Sequence, residues 1–387
     1  MFNIHCLNNI SEEGLKLLPE GYNREASYED SHAVLVRSAK MHEMEMGEGL
    51  HAIARAGAGV NNIPLDKCAE KGIIVFNTPG ANANAVKEQV LAAMLLASRD
   101  LIGGAKWVEE NASDPDIAKT AEKAKKAFGG KELKGKKLGV IGLGAIGRLV
   151  ANACVELGME VLGYDPYLSV SAAWNISRKV RHISNLEDIY KECDYMTIHV
   201  PALDSTKGMV GKEAFAMMKP GAVIINCARD VLVDEEELLK AIEDGIVSKY
   251  VTDFANPTVA GKENIIVFPH LGASTQEAEE NCAVMAVEEV RDFLENGNIR
   301  NSVNYPACDM GVCQAKGRIA VCHKNVPNTI SHITAVMGDA GVNICDMTNK
   351  SKDDYAYTML DLEAPSSDEL VKKLEAVEGV IKVRIIK

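Results

Sequence analysis

The segment KLGVIGLGAIG (137–147) places three glycines, Gly142, Gly144 and Gly147, at the end of an apolar run. Glycine at the first position permits a tight turn. At the second it lets a pyrophosphate approach the backbone, and at the third it lets a helix pack close to a strand. A helix starting near Ala145 would aim its N-terminal amides and positive dipole end at phosphate. The next apolar run, EVLGYD (160–165), ends on Asp165. A carboxylate there accepts hydrogen bonds from the adenosine ribose and repels the extra phosphate of NADP, so the pattern points to NAD.

Hydride transfer at C2 of a small hydroxy acid needs a cation for the carboxylate, a proton shuttle for the hydroxyl, and fixed geometry. Two apolar runs end on suitable residues. AVIINCARD carries Arg229, a planar clamp for a carboxylate, and IIVFPHLGAS carries His270, a proton shuttle near neutral pH. Gly272 follows the histidine. A third run, YVTDFANP (250–257), contributes Asp253 and Asn256. Asp253 either faces the nicotinamide or caps a turn. Alone, each residue reads as structural; at strand ends downstream of a dinucleotide signature, they read as a site.

These residues require strands to carry them. Apolar runs at 33–38, 51–57, 72–77, 137–142, 160–165, 195–200, 222–227 and 265–270 alternate with helical patterns such as 84–101 and 145–158. That rhythm predicts parallel sheets covered on both faces. Residues 102–136 read as a helix and connector, and 296–317, rich in Gly, Asn and Pro, as a break. Beyond it, strand, helix, strand, strand, helix, strand follow in order, the ferredoxin-like split unit. The expected fold is α/β: two Rossmann-like doubly wound parallel-sheet domains plus a C-terminal α+β ferredoxin-like domain. Expected boundaries are 1–97 completed by 279–305, a cofactor domain at 98–278, a linker at 306–316, and a tail domain at 317–387.

A formal net charge of −13 argues against general affinity for nucleic acid or anionic membrane. Of ten cysteines, Cys308 and Cys313 lie closest, without a neighbouring histidine. Buried reduced thiols account for them better than zinc, and no metal is expected. No secretory leader and no long apolar span are evident, so a soluble cytoplasmic protein is expected.

The stretches RAGAGVNNIPLDKCAEKGIIVFNTPGANANAVKEQVLAAML, ELKGKKLGVIGLGAIG, HVPALDSTKGMVG, INCARDVLVDEEEL and NIIVFPHLGASTQEAEENC resemble, in order and spacing, the D-isomer-specific 2-hydroxyacid dehydrogenases. The resemblance covers roughly residues 33–295 and implies an NAD-dependent dehydrogenase of a small 2-hydroxy acid. It is nearest to members acting on a phosphorylated acid. It implies Arg229 as the substrate-binding arginine and His270 as the acid/base. Gly144, Ile146, Asp165, Pro201, Thr206, Cys227, Ala228, Asp253, Gly272 and Thr78 fall on cofactor-contacting positions. Arg55, Ala56, Gly57 and Asn82 fall where the substrate is held, and Arg37 and Lys71 are further candidates for a phosphate. The family usually has Glu, partner of the catalytic histidine, where Asn256 stands. Either Asn256 orients His270 without a charge, or another carboxylate reaches it.

The tail resembles the ACT domain, an amino-acid-binding regulatory module. His323, Asn325 and Asn343 match positions that hold L-serine in regulated members, although Asn328 replaces the usual glycine after Pro327. Without the resemblance these residues read as turn chemistry and surface polarity. A homodimer or homotetramer is expected. The alternatives are a dehydrogenase of another 2-hydroxy acid, or a non-catalytic NAD-sensing protein on the same scaffold.

Overall fold

The computed structural model describes residues 1–387, the side chain of Ser171 excepted. The chain forms two compact units, Met1–Asn82 with Glu279–Lys387, and Ala83–Ala278.

The first unit opens with β1 (Phe2–Cys6), α1 (Glu12–Leu15), β2 (Tyr22–Asn23), β3 (Ala33–Val36), β4 (Ala52–Arg55), α2 (Leu65–Glu70) and β5 (Ile74–Asn77). Its five strands are all parallel, in the order β2-β1-β3-β4-β5. AVLV, AIAR and IVFN are nearly unbroken apolar runs because both faces of the sheet are covered. Ile4, Leu35, Ala54 and Phe76 enter one core, and Val34, Val36, Ile53 and Val75 the other.

The second unit contains α3 (Ala83–Ser98), α4 (Leu101–Glu110), α5 (Ile117–Ala124), β6 (Lys137–Ile141), α6 (Ala145–Glu156), β7 (Glu160–Tyr164), α7 (Val170–Ala173) and β8 (Arg181–His182). It continues with α8 (Leu186–Glu192), β9 (Tyr195–Ile198), α9 (Lys212–Met217), β10 (Ala222–Asn226), α10 (Glu235–Glu243), β11 (Val247–Thr252) and β12 (Ile265–Val267). The parallel sheet runs β12-β11-β10-β9-β6-β7-β8. The chain reverses direction between β6 and β9, the topological switch point where ligands bind in open α/β sheets. Sequence placed the boundary at residue 98, but it falls at 83. Helix α3 packs on α6, β10 and β11, with Val90, Ala93 and Met94 fully buried in that unit's core.

Helix α11 (Gln276–Asn296) leads back into the first unit. After it come β13 (Gly317–Lys324), α12 (Thr329–Asp339), β14 (Ile344–Lys352), β15 (Tyr355–Leu362), α13 (Asp368–Glu375) and β16 (Val380–Ile385). Their antiparallel sheet has the order β14-β15-β13-β16, the ferredoxin-like arrangement. Ile319, Val321, Leu360 and Val383 face α12 and α13. The opposite face is not solvent: Ala320, Cys322, Tyr357 and Met359 complete the core built by β1, β3, β4 and β5. The tail expected at 317–387 is thus part of the first compact unit.

Nor are residues 306–316 a free linker. Ile299 and Cys308 exchange two backbone hydrogen bonds, of 2.7 and 3.0 Å. Arg318, 1% exposed, gathers this strap by donating to the carbonyls of Asn296 (3.0 Å), Gly311 (2.6 Å) and Met310 (3.3 Å). Its charge is met by Asp361 through Nε–Oδ1 (2.5 Å) and Nη2–Oδ2 (2.8 Å). Removing one partner of a buried ion pair leaves an uncompensated charge, at about 3–5 kcal/mol. Asp361→Ala should lose stability on that scale in urea unfolding. A loss under about 1 kcal/mol, the range of exposed pairs, would show that water reaches Arg318.

Candidate active site

In the second unit, Gly142 adopts φ +92° and a Cβ there would lie 2.6 Å from the carbonyl oxygen of His199. A Cβ at Gly147 would lie 1.9 Å from the Gly142 carbonyl oxygen. Both glycines are therefore demanded by the fold itself. Gly144 differs: a Cβ would meet nothing within 4 Å. The residue is exposed, precedes α6 directly, and no side chain caps that helix. The loop leaves a bare helix N-terminus of 12 residues open to an anion. Asp165 ends β7 beside it, Oδ2 accepting from the Leu143 amide and Oδ1 from the Tyr167 amide, both 2.9 Å. Its carboxylate is thereby fixed while keeping lone pairs for a ribose. This geometry fits a dinucleotide, whose pyrophosphate Gly144 would admit.

Around the switch point, Thr206 closes the 201–206 loop by donating to the Pro201 carbonyl (2.6 Å) and accepting from the Leu203 amide (2.9 Å). Ile146 is half-buried under the loop, Cys227 buried, and Ala228 half-buried. Asn226, fully buried, donates to the Arg229 carbonyl (2.8 Å) and accepts from the Ala228 amide (3.2 Å). Sequence reading missed this residue, which fixes the turn that presents Arg229 to solvent.

His270 is exposed and held at φ +57°, a region costly for a non-glycine residue. The hold comes from Asp253, 1% exposed. Its two oxygens accept from the amides of Leu271 and Gly272, each at 2.8 Å. Asp253 thereby restrains the turn that carries His270. A Cβ on Gly272 would approach its Oδ2 to 3.0 Å. The Phe254 ring packs against the imidazole, centroids 5.0 Å apart. Arg229 follows β10 and His270 follows β12, one on each side of β11. The strand spacing puts their backbones roughly 10 Å apart.

Asn256 does not meet His270. Its Nδ2 lies 3.0 and 2.9 Å from the two carboxylate oxygens of Glu235, and its Oδ1 accepts from the amides of Thr258 (2.9 Å) and Val259 (3.3 Å). The amide is fully spent on its own loop and on α10. Burial pushes the Glu235 carboxyl above its usual range, opposed by the Asn256 bond.

In the first unit, Arg37, Ser38, Lys40, His42, Arg55 and Asn62 line a cleft of about 620 Å³. The Arg55 Nε donates to the Arg37 carbonyl (3.1 Å), and its guanidinium folds over Gly57 (φ +146°), where a Cβ would lie 2.0 Å from Nη1. Ala56 is buried and its amide donates to the Val36 carbonyl (2.8 Å). Asn8 Oδ1 accepts from the amides of Arg37, Ser38 and Ala39, shaping the loop. Arg37 is also paired with Glu279 at 2.5 Å. Lys40, His42 and Asn8 escaped the sequence reading. Lys71 lies elsewhere, ending α2 with Nζ on the Met46 carbonyl (3.0 Å). Asn82 is half-buried and Thr78 fully buried, its amide bound to the Gly57 carbonyl at 3.1 Å.

The regulatory candidates do not converge within one chain. His323 is 2% exposed, with Nδ1 on the Lys324 carbonyl (2.8 Å) and Nε2 on Thr358 Oγ1 (2.9 Å). Asn325 is exposed and donates to the Asp353 carbonyl (3.0 Å). Asn343 is also exposed, but β14 runs antiparallel to β15 and starts opposite Leu362, the Gly317 end of β13. Its place is roughly 20 Å along the sheet from His323.

Residues 91–272 match the family described as D-isomer specific 2-hydroxyacid dehydrogenase, NAD binding domain. That segment lies within the second unit. The D-3-phosphoglycerate dehydrogenase of Methanocaldococcus jannaschii is 34% identical over 327 residues, 79% of this chain and 60% of that one. That of Haemophilus influenzae is 28% identical over 397 residues, 99% of this chain and 93% of that one. The NAD+-bound 3-phosphoglycerate dehydrogenase of Entamoeba histolytica superimposes with a TM-score of 0.60 at 26% identity, over 78% of this chain and 98% of that one. The chain spans only 49–60% of several curated relatives it matches.

The glycine loop yields a paired prediction. Gly144→Ala should leave the melting temperature unchanged yet weaken NADH binding in a fluorescence titration. Gly147→Ala should lower the melting temperature itself. Equal NADH affinity in wild type and Gly144→Ala would place the pyrophosphate elsewhere.

Proposed function

We propose that this protein is an NAD-dependent D-3-phosphoglycerate dehydrogenase, oxidising 3-phosphoglycerate to 3-phosphohydroxypyruvate at the entry to L-serine synthesis. The observation that carries this reading is Arg229 and His270 flanking β11 in the NAD-binding unit, with His270 clamped in a strained conformation through Asp253. NAD, when bound, supplies the hydride acceptor for the substrate's C2 hydrogen. Arg229 takes the carboxylate and polarises the C2 oxygen. The imidazole of His270 takes the hydroxyl proton as C2 becomes a carbonyl, and returns it in the reverse direction. With Asn256 committed to Glu235, it does not share that proton.

The first unit's cleft of Arg37, Lys40, His42 and Arg55 offers basic groups suited to a phosphate. That cleft favours a phosphorylated acid over hydroxypyruvate, glyoxylate or 2-oxoglutarate, whose reduction is the second reading. The curated relatives and the exposed cations support the first.

L-serine is proposed as effector and a homodimer or homotetramer as the assembly. Edge strand β14 is largely exposed. Antiparallel pairing of β14 with a second copy would set the start of one strand beside the end of the other. Asn343 of one chain would then approach Asn325 of its neighbour. His323, with both ring nitrogens engaged, would act by holding the Lys324 backbone rather than by touching serine.

The test is NADH consumption with 3-phosphohydroxypyruvate beside hydroxypyruvate and 2-oxoglutarate, with and without L-serine. A much higher kcat/KM for the phosphorylated acid is expected. His270→Gln should lower kcat on the order of 10²–10⁴-fold. Lys40→Ala should lower kcat/KM for the phosphorylated substrate about tenfold or more, the scale of a hydrogen bond to a charged group, and spare hydroxypyruvate. No preference for the phosphorylated acid would return the protein to a general 2-hydroxyacid dehydrogenase. Full activity at saturating serine would remove the inhibitory role.

A further inference from the structure

The outward face of α11 carries Glu288, Glu289, Asp292 and Glu295, at successive steps of one, three and three. With Arg300 and Asn301 of the following strap they border a groove of about 530 Å³. Glu289 is only 7% exposed. Its Oε1 accepts from Asn301 Nδ2 at 2.6 Å, whereas its Oε2 is buried without a hydrogen-bond partner. Leaving a buried acceptor unmade costs about 1–3 kcal/mol. Asn301, which supplies the one bond, sits at φ +50°.

The charges around Glu289 are unevenly matched. Arg291 is engaged by Glu295 (3.4 Å) and the Leu17 carbonyl (3.2 Å). Arg300 is engaged by Asp309 (2.8 Å) and Asp292 (3.6 Å). Glu295 also accepts from the Tyr22 hydroxyl of β2, at 3.1 Å. Among the described residues, no cation lies within ion-pair reach of Glu288 or Glu289. Arg291 and Arg300 line the groove but are already engaged by other acids, so what it lacks is a positive charge with hydrogens to donate beside Glu289.

We infer that the α11 groove binds a small organic cation bearing a primary ammonium, which donates to Glu289 Oε2 and is flanked by Glu288. The ammonium satisfies the orphan oxygen and balances the excess carboxylate at once. The site is independent of the dehydrogenase reading: it uses none of the residues assigned to substrate or cofactor.

The protonation of Glu289 gives the site a signature. Burial, with Glu288 adding to it, pushes its carboxyl up to about 8, against the bond from Asn301. Near neutral pH the acid therefore holds a proton that an ammonium must displace. Affinity should rise as pH rises toward about 8, then level until the amine itself loses its proton. Stability follows the same group with opposite sign. The folded state keeps a proton that the unfolded state has released, so the contribution is present at low pH. It is lost as pH climbs through about 8.

The test is calorimetric titration of the full chain with 1,4-diaminobutane, using 1,4-butanediol as uncharged control, at about pH 6 and about pH 8.5, on either side of most of the window set by the shifted carboxyl. Saturable binding that tightens about tenfold or more between the two, with release of a proton, is expected. Glu289→Gln keeps the acceptor for Asn301 but cannot ionise, and should abolish binding. It should also remove the loss of melting temperature with rising pH. Binding that survives Glu289→Gln unchanged, or absence of binding by the wild type at both pH values, would overturn the proposal.

Discussion

The α11 carbonyls beyond Phe293, whose oxygen still accepts from the Gly297 amide (2.9 Å), lack helical partners, and the ferredoxin-like sheet supplies donors to this end of the helix. Arg384 donates to the carbonyls of Phe293 (3.4 Å) and Leu294 (3.3 Å), with its guanidinium carbon 4.3 Å from the Phe293 ring centroid. Arg318 takes the Asn296 carbonyl and the Tyr357 hydroxyl takes that of Gly297 (2.8 Å). Positive charge at a helix C-terminus is favoured by the dipole as well as by the hydrogen bonds. Helix α11 is long, and its terminus is buried, so without these donors it would end on unsatisfied oxygens. The same contacts make the tail sheet and the N-terminal sheet share one core, which is why residues 306–316 are pinned.

The chemistry-bearing residues depend on constraints of a second kind, local and strained. His270 occupies a left-handed backbone conformation because Asp253 holds the next two amides. Arg229 projects because Asn226 holds its turn from below. In both cases a buried polar side chain at or just beyond a strand end restrains an exposed candidate for the chemistry. The strands provide rigidity, and the buried side chain converts it into direction. The glycine loop works differently, since two of its glycines are required by contacts inside the protein and only Gly144 by the ligand it would admit.

What was legible in the sequence follows this division. The strands expected from apolar runs formed, because β3, β4, β5, β6, β9 and β10 are buried on both faces and their composition says so. Arg229 and His270 stand out in the sequence because strand ends and a glycine fingerprint give them a context. Lys40 and His42 do not, since a basic residue in a polar loop has no periodicity and its place depends on Asn8, far away in sequence. Lys71 matched a plausible role by chemistry alone, but α2 turns it toward the Met46 carbonyl. Asn256 stands out in the sequence as a departure from the family pattern, but its partner Glu235 lies on α10, a pairing only the fold reveals.

The sharpest case is the last strand. In VIKVRI, Lys382 and Arg384 alternate with Val383, which ordinarily assigns the charges to water and the valine to the core. Val383 does face the helices α12 and α13. Yet the other face is also buried: Lys382 Nζ caps the carbonyls of Glu48 (2.9 Å) and Leu50 (2.7 Å), while Arg384 caps α11. Gly72, at φ +65°, lets the strand approach; a Cβ there would lie 2.6 Å from that of Lys382. Burial of the ammonium lowers its pKa to about 8. Long cationic side chains are suited to such a seam because their stems are apolar and their heads are donors. A seam that must satisfy buried carbonyls cannot be all hydrocarbon. Binary patterning reads polarity as exposure, and therefore missed that this sheet is covered on both sides.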